Sequence, residues 1–564
     1  MGSLFSALDI ARSGMAAAQV QLDVTGNNIA NVNTPGFSRQ RAILQERFPA
    51  LLAAGPLGRG VDVANIQRIR DAFLDQAFQQ QAPNLGSSSV QTQYFNLLED
   101  VFLEPTENGF GTRLDRFFDA LSDFANNVES PPVREALISE ANAMAGSLNG
   151  LIGRFDQLRT NANEEVRNLV PEINSLADRI FDLNRQVRLA EGGGANASGL
   201  RDQRGVLVDQ LANLINITTR EDSSGQLNIQ IGAQVLVGPT GARDIIAFRN
   251  PALDPERNDL VELRFVDDNS LVDVTNGEVF GALQIRDEVI PELDDEIDQI
   301  AAALIEQLNR IQSQGNGTQN YSGNITSTNN VTAAGDPLVA AGLPFTVTPG
   351  TIDVIVYDNT GTPTTTTISI TNTTTLNDLA TALNGIPGLT ASVSGQQLTV
   401  GPQAGFTFSF GSDTSNLFPA LGLNTFFTGR DARSIAVNPD LEANPDLITS
   451  SFSDDVLNTG DNEAALQMAA LRTALVMDSN TATIGDFYQT TVAGLGIDSR
   501  AAGDNQAVDE QFLLNLEARR QEVSGVNLDE EVTNLMLYQR AYEASARVIN
   551  IADRMLDALF SIAQ

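Results

Sequence analysis

LDEEVTNLMLYQRAYEASARVINIADRMLDALF, residues 528–560, decides how the rest of the chain is read. Within it Leu528, Leu535, Tyr542, Ile549 and Leu556 recur every seven residues, a row that Ala563 extends, while Val532, Ser545, Ala552 and Leu559 fill most of a second row. The opposite end answers it. In GSLFSALDIARSGMAAAQVQLDVTGNNIA, residues 2–30, the positions Leu4, Leu8, Ala11, Met15, Ala18, Leu22, Thr25 and Ile29 follow one another at alternating steps of four and three. A hydrophobic period of about 3.5 keeps one face of a helix turned towards a partner helix. Each end therefore needs a partner, and the simplest partner is the other end, about 500 residues away. Chain ends are usually the least ordered part of a domain. Here they are among the most strongly patterned segments, which predicts a coiled-coil-like pair of terminal helices.

Composition limits what the chain can do. It has 564 residues, too many for one core, so several domains are expected. It contains no Cys, His, Trp or Lys, and all 34 basic residues are arginine. That excludes a Ser-His-Asp triad, a Cys nucleophile, a His or Cys zinc site, a Walker A lysine and Schiff-base chemistry. No catalytic, cofactor-binding or metal-binding set is expected. The net charge of −37 argues against nucleic acid and anionic membranes as partners. No stretch approaches the ~18 uninterrupted apolar residues of a membrane span, so no membrane insertion is expected. Polar residues interrupt the first 30 positions, which do not read as a secretory signal. The absence of cysteine suits a chain that crosses compartments unfolded.

Two local features invite a functional reading and lose it. Glu288, Glu292, Asp294, Asp295, Glu296 and Asp298 form an acidic cluster, but Leu293, Ile297, Ile300, Leu304, Leu308 and Ile311 run through and beyond it at helical spacing. The acids then occupy the solvated side of an amphipathic helix. Gly192, Gly193 and Gly194 lack the surroundings of a phosphate loop and read as a turn after a helix.

The patterning predicts a multidomain α+β chain. Residues 137–190 form a long coiled-coil-like helix opened by Pro131 and Pro132, with Pro171 as a kink or break. Residues 201–215 form a short helix, and strands follow around 227–231, 235–237, 263–266 and 271–274. A second β region holds Ile352, Val354 and Val356 on one face, a Thr-rich strand ending at Ile370, a short helix capped by Thr375, and strands at Val393, Leu398 and Val400. Helical patterning resumes near Asp461. The expected division is a terminal helical core from 1–60 plus 525–564, and a discontinuous helical bundle from 61–200, 287–315 and 455–524. Inserted, outward β-rich domains cover 201–286 and 316–454.

Five segments carry a resemblance. NNIANVNTPGFSRQ at 27–40 and SGVNLDEEVTNLMLYQRAYEASARVINIADRMLDAL at 524–559 look like the terminal signatures of the flagellar axial proteins, the family of rod, hook and hook-associated proteins. LRDQRGVLVDQLANLINI at 200–217 and FFTGRDARSIAVNPDL at 426–441 resemble its hook-associated members, and 345–425 resembles a small β module recurrent there. The resemblance implies a structural, non-enzymatic subunit of the extracellular flagellum at the hook–filament junction, secreted by type III export. Its partners would be further copies of itself in a helical oligomer, hook protein, hook-associated protein 3, flagellin indirectly, and an export chaperone at the C-terminal region. Another axial role, as hook protein or hook-associated protein 3, is the alternative, and a secreted adhesin using residues 220–430 a weaker one.

The expected assembly interface joins Leu4, Leu8, Ala11, Met15, Leu22, Asn28, Ile29, Asn31, Asn33, Pro35, Gly36 and Phe37 with Leu528, Val532, Leu535, Gln539, Arg540, Tyr542, Ile549, Leu556 and Leu559. The asparagines satisfy backbone groups at the helix end or on a neighbour, Pro35-Gly36 turns the chain out of the core, and Arg39 and Arg41 present charge to neighbours.

Overall fold

The computed structural model describes residues 2–52, 55–102, 104, 106, 109–193, 196–255, 257–452 and 460–562, with side chains for all of these except 2–4, 50–52, 56 and 559–562. The side chains of Leu4 and Leu559, and residues Gly194 and Ala563, lie outside that description. The chain is a mixture of long helices and small antiparallel sheets, in two compact units.

The first unit comprises Met1–Gln93, Asn161–Ile285 and Ala501–Gln564. Its N-terminal helix, Gly2–Ala30, packs against its C-terminal helix, Leu528–Ile562. The pair is antiparallel: a Cβ on Gly14 would lie 3.2 Å from the Ser545 hydroxyl, and fourteen residues further along both helices Asn28 bonds to Glu531. Ala11, Ala18 and Thr25 are buried and Leu8, Met15, Leu22 and Ile29 half-buried, so the stripe read from the sequence is the covered face. A two-stranded ribbon, Gln40–Glu46 with Val61–Arg68, lies beside the N-terminal helix. The sequence reading places no strand there.

The helix Pro131–Glu191 passes through Pro171 without a break, and residues 161–191 belong to this unit. Proline removes one hydrogen bond at a cost of about 3 kcal/mol. Val166, Val170, Ile173, Leu176, Ala177 and Ile180, all buried around it, outweigh that loss. The same helix holds the neighbouring sheets through three side-chain amides. Asn163, Asn174 and Asn184 accept from the backbone N–H of Val261, Ile245 and Leu227 and donate to the carbonyls of Asp259, Ile245 and Leu227, all at 2.7–3.1 Å. Each amide thereby satisfies strand groups that would otherwise end unpaired against a helix. The sheets are Thr218–Glu221, Leu227–Ile231 and Gln234–Val237, and the pair Ile245–Arg249 with Val261–Phe265. The strand expected at 271–274 reduces to a single bridge at Leu271.

The second unit comprises Tyr94–Thr160 and Arg286–Arg500. The acidic helix Ile290–Gln312 buries Leu293, Ile297, Ile300, Leu304, Leu308 and Ile311, as its spacing predicts. Asn309 donates to Phe427 O at 2.8 Å and accepts from the N–H groups of Phe426 and Phe427, which pins the FFTG segment, and both rings pack on Phe117. FFTG is thus part of the core. In the β module, Pro363–Ile370, Gly350–Tyr357 and Thr407–Asp413 form one sheet and Ile325–Thr326, Gln397–Pro402 and Leu389–Ser394 another. Thr375 caps the helix Leu376–Asn384 in a reciprocal box with Asp378.

Asp294 departs from the solvated face expected of its cluster. It is half-buried, its Oδ1 has no hydrogen-bond partner among the described residues, and burial followed by repulsion from Asp298 raises its pKa to about 6 from the ordinary 3.8. A value raised in the folded state gives a contribution that is full below pH ~4 and lost as pH rises through about 6. After discounting for its partial exposure, the loss is on the order of 1 kcal/mol. Asp294→Asn is therefore expected to raise the melting temperature of the second unit at pH 7.5 and to leave it unchanged at pH 4; equal effects at both pH values would contradict this account.

Candidate functional site: the anchorage of the terminal helices

The sequence NNIANVNTPGFSRQ ends the N-terminal helix by local chemistry. Asn31 Nδ2 donates to Asn27 O at 3.0 Å, and Thr34 Oγ1 donates to Asn31 Oδ1 at 3.1 Å. Thr34-Pro35-Gly36-Phe37 is a turn closed by Phe37 N to Thr34 O at 3.1 Å, with Gly36 at φ +75°. Proline at the second position and a left-handed glycine at the third are what such a turn requires. Glycine is required twice over, since a Cβ there would come 2.3 Å from Val206 Cγ2. Asn33, Pro35 and Gly36 remain exposed.

Beyond the turn, the side chains of Ser38 and Arg39 are both engaged within the chain. Ser38 donates through N and Oγ to Asp202 at 2.9 and 2.7 Å, and Arg68 reaches the same carboxylate at 3.0 Å. Arg70 bonds Asp75 at 2.6 Å, and Arg520, stacked on the Phe78 ring, bonds Asp75 at 2.9 Å and forms an ion pair with Asp209 at 2.9 Å. Burial pushes the Asp75 carboxyl up, but Arg70 and Arg520 together outweigh it and hold the group below the usual range. Burial raises Asp209, and Arg520 only partly offsets it.

The C-terminal helix joins this network at its first turn. Arg39 N donates to Ser524 O at 2.8 Å, and the Arg39 guanidinium bonds Glu531 at 2.7 Å and Glu530 at 3.0 Å. Its hydrogen bond to Arg39 lowers the Glu530 pKa. Glu531, only 2% exposed, also accepts from Asn28 Nδ2 at 3.2 Å, while Asn28 Oδ1 accepts from Gln40 N at 3.0 Å and Nδ2 donates to Gln40 O at 2.9 Å. The expectation that Arg39 presents its charge to neighbours is corrected: the charge is spent inside the chain. Arg41 is exposed. Segments 27–40, 200–217 and 524–559, far apart in sequence, thus meet at one point. They frame a cleft of about 1620 Å³ lined by the turn, Val206, Asp209, Arg520 and the 524–527 link.

The second row of the C-terminal helix keeps Ser545 and Ala552 as expected but begins at Glu531, one residue before the expected Val532. Glu531, Tyr538, Ser545 and Ala552 face the N-terminal helix with Leu535, Ile549 and Leu556, whereas Val532 stands off and is exposed. The buried carboxylate explains the shift, because Glu531 is held there by Arg39 and Asn28. Leu528, Gln539, Arg540 and Tyr542 are exposed. Reading for apolar residues alone missed Glu531; its seven-residue step to Tyr538, Ser545 and Ala552 was the available signal. Ser38, Asp202, Arg68, Arg70 and Arg520 were missed as partners because their pairing is entirely non-local.

A further row remains uncovered. Leu537, Ala541, Ala544, Val548, Ile551 and Met555 follow steps of four and three along the same helix, and all six are exposed. Among the described residues no helix is long and apolar enough to cross a membrane, and no cluster of three or more acidic side chains is placed to hold a metal.

Comparison with known proteins agrees with this geometry. The family model of the flagellar hook-associated protein FlgK helical domain matches residues 95–325, that of the basal body rod FlgEFG protein C-terminal region 518–562, and that of the flagella basal body rod protein 8–37. All three models are of flagellar rod, hook and hook-associated axial proteins, which the chain resembles at both ends and along its middle. The full-length likeness is to hook-associated protein 1. Identity is 26% with that of Bacillus subtilis over 576 residues, spanning 100% of this chain and 99% of the relative. It is 28% with that of Salmonella typhimurium over 581 residues, spanning 99% and 100%. The fold resembles the flagellar hook junction protein FlgK from Burkholderia pseudomallei, with a TM-score of 0.53 at 15% identity over 80% of this chain and 100% of that one.

Proposed function

We propose that this chain is a structural subunit of the bacterial flagellum that joins the hook to the filament as part of a helical layer of identical copies. The observation that carries the reading is the uncovered apolar row from Leu537 to Met555, on a helix whose other face is already taken by the N-terminal helix. A helix with two apolar faces and one partner leaves a face that only another chain can cover. The exposed residues read from the sequence as interface, Asn33, Pro35, Gly36, Leu528, Val532, Gln539, Arg540 and Tyr542, extend that surface. Those facing the helix pair, from Leu8 to Ile29 and at Leu535, Ile549 and Leu556, shape it from behind.

In this reading hook protein lies on one side and hook-associated protein 3 on the other, with flagellin beyond. The chain leaves the cell unfolded by type III export, after a chaperone has held its C-terminal region. The four-part division into a terminal core, a helical bundle and two β-rich domains is retained as a finer proposal than two compact units. The terminal pair folds on assembly, because ordering each residue costs about 1–2 kcal/mol and one helix pair recovers too little by burial to hold both ends alone.

Deleting the gene is expected to leave cells with hooks but no filaments and with flagellin in the medium, and restoring it to place the chain, by immuno-electron microscopy, in a narrow zone beyond the hook. Labelling along the hook or the whole filament would overturn the junction role. Amide exchange at 2–30 and 528–562 should be fast in the purified monomer and slow in isolated hook–junction complexes; slow exchange in a verified monomer would remove folding on assembly.

A further inference from the structure

The ribbon beside the N-terminal helix runs on into an apolar stretch whose described large side chains, Phe48 and Leu57, are exposed. The ribbon starts at Asn28, whose side chain holds Gln40, and reaches Ser13, whose hydroxyl accepts from Val61 N at 3.2 Å. Fifteen helical residues rise about 22 Å and six strand steps about 20 Å, so ribbon and helix keep pace. Past that point the chain continues as the hairpin Ala50–Leu52 with Gly55–Leu57. Arg47 N donates to Gly60 O at 3.0 Å, and a Cβ on Gly60 would lie 3.2 Å from Ile10 Cα. Phe48 therefore leaves the ribbon near the first turns of the helix. It is 90% exposed, more than any other large apolar side chain among the described residues. The stretch FPALLAAGPL, 48–57, has no charge in a chain of net charge −37.

Its height along the helix pair singles out what it meets. With Gly14 beside Ser545 and Asn28 beside Glu531, the antiparallel register puts Asp9 level with Asn550. That is the level of Val548, Ile551 and Met555 in the uncovered row. Charge agrees: Glu46 is exposed at the foot of the tip, and Arg540, Arg547 and Arg554, also exposed, flank the row every seven residues. We propose that the Phe48 tip of one copy docks on Val548, Ile551 and Met555 of the next copy, with Glu46 facing Arg547 and Arg554. This rests on the reading of the chain as an assembling subunit. The contact joins two different surfaces, so each copy offers one and accepts one, and it propagates around a layer instead of closing in a dimer. An exposed phenylalanine then becomes the anchor in a half-apolar, arginine-rimmed strip.

The cysteine-free sequence makes the test clean. A chain carrying both Phe48→Cys and Ile551→Cys, oxidised after assembly on the hook, is expected to give a covalent ladder of dimers, trimers and higher species. Chains carrying either substitution alone should give none, and the two single variants assembled together should give dimers only. Phe48→p-benzoylphenylalanine, which keeps the aromatic bulk, should on irradiation label residues 544–555 of another copy. If the copies assemble but the double variant stays monomeric on oxidation, or the photoprobe labels elsewhere or nothing, the docking is wrong. If wild-type copies do not associate at all, the junction reading itself fails, and this contact with it.

Discussion

Asp202→Ala is expected to destabilise the first unit by about 3–5 kcal/mol, the usual consequence of removing one partner from a buried ion pair. Asp202 is 5% exposed and its two oxygens receive Ser38 N, Ser38 Oγ and Arg68, with Arg70 at 3.6 Å. Alanine leaves two arginines facing each other with no carboxylate between them and a buried N–H without an acceptor. Burial already lowers the Arg68 pKa, so the loss is that of a charge held away from water. Asp202→Asn keeps an acceptor for Ser38 and should lose clearly less. Amide exchange distinguishes the effect from a general loss: protection should fall at 38–40, 68–75 and 198–214. An alanine variant within ~0.5 kcal/mol of wild type in denaturant unfolding would show that the network does not carry the anchorage.

Ile551→Asp combined with Val548→Asp is expected to abolish filament attachment while leaving the folded monomer as stable as wild type. Both side chains are about half exposed, 53% and 45%, and neither faces the N-terminal helix. Carboxylates there cost the monomer little. In an assembled layer each would be buried without a partner, losing the burial of an aliphatic group, about 1.5–3 kcal/mol, and adding the cost of a dry charge at every copy. Cells should secrete the variant and flagellin and remain non-motile. Ile549→Asp, two residues before Ile551, is the contrast, because it strikes the face covered by the N-terminal helix and should damage the helix pair itself. Normal swimming with both row residues changed would dismiss the uncovered row as an interface.

Much of this was legible without coordinates, and for one physical reason: helical periodicity is a local property. The covered stripe of the N-terminal helix, the Thr-Pro-Gly turn, the acidic helix with its buried Leu293 to Ile311 face, and the capped helix at Thr375 all follow from residues within a few turns of one another. The structure departs from the local pattern in three places. Pro171 alone would break a helix, and the long buried stripe around it overrides that. Val532 is apolar and fits the seam by spacing, but Glu531 takes the place because Arg39 and Asn28 supply a partner no local pattern contains. The ribbon at 40–68 is not legible because its strands pair across a long intervening stretch.

The sequence by itself determined that both ends are helices needing partners, that no His, Cys or Lys chemistry is available, and that three motif segments, 27–40, 200–217 and 524–559, resemble those of one family. What only the tertiary structure decided is where those motifs meet, and which face of the C-terminal helix is left over. Heptad spacing specifies a covered face wherever a partner lies, but two interleaved apolar rows on one helix are equivalent until a neighbour occupies one of them. The buried pair of Arg39 with Glu531 makes that choice, because a charge that leaves water must find its opposite, and only folding brings the two within 2.7 Å.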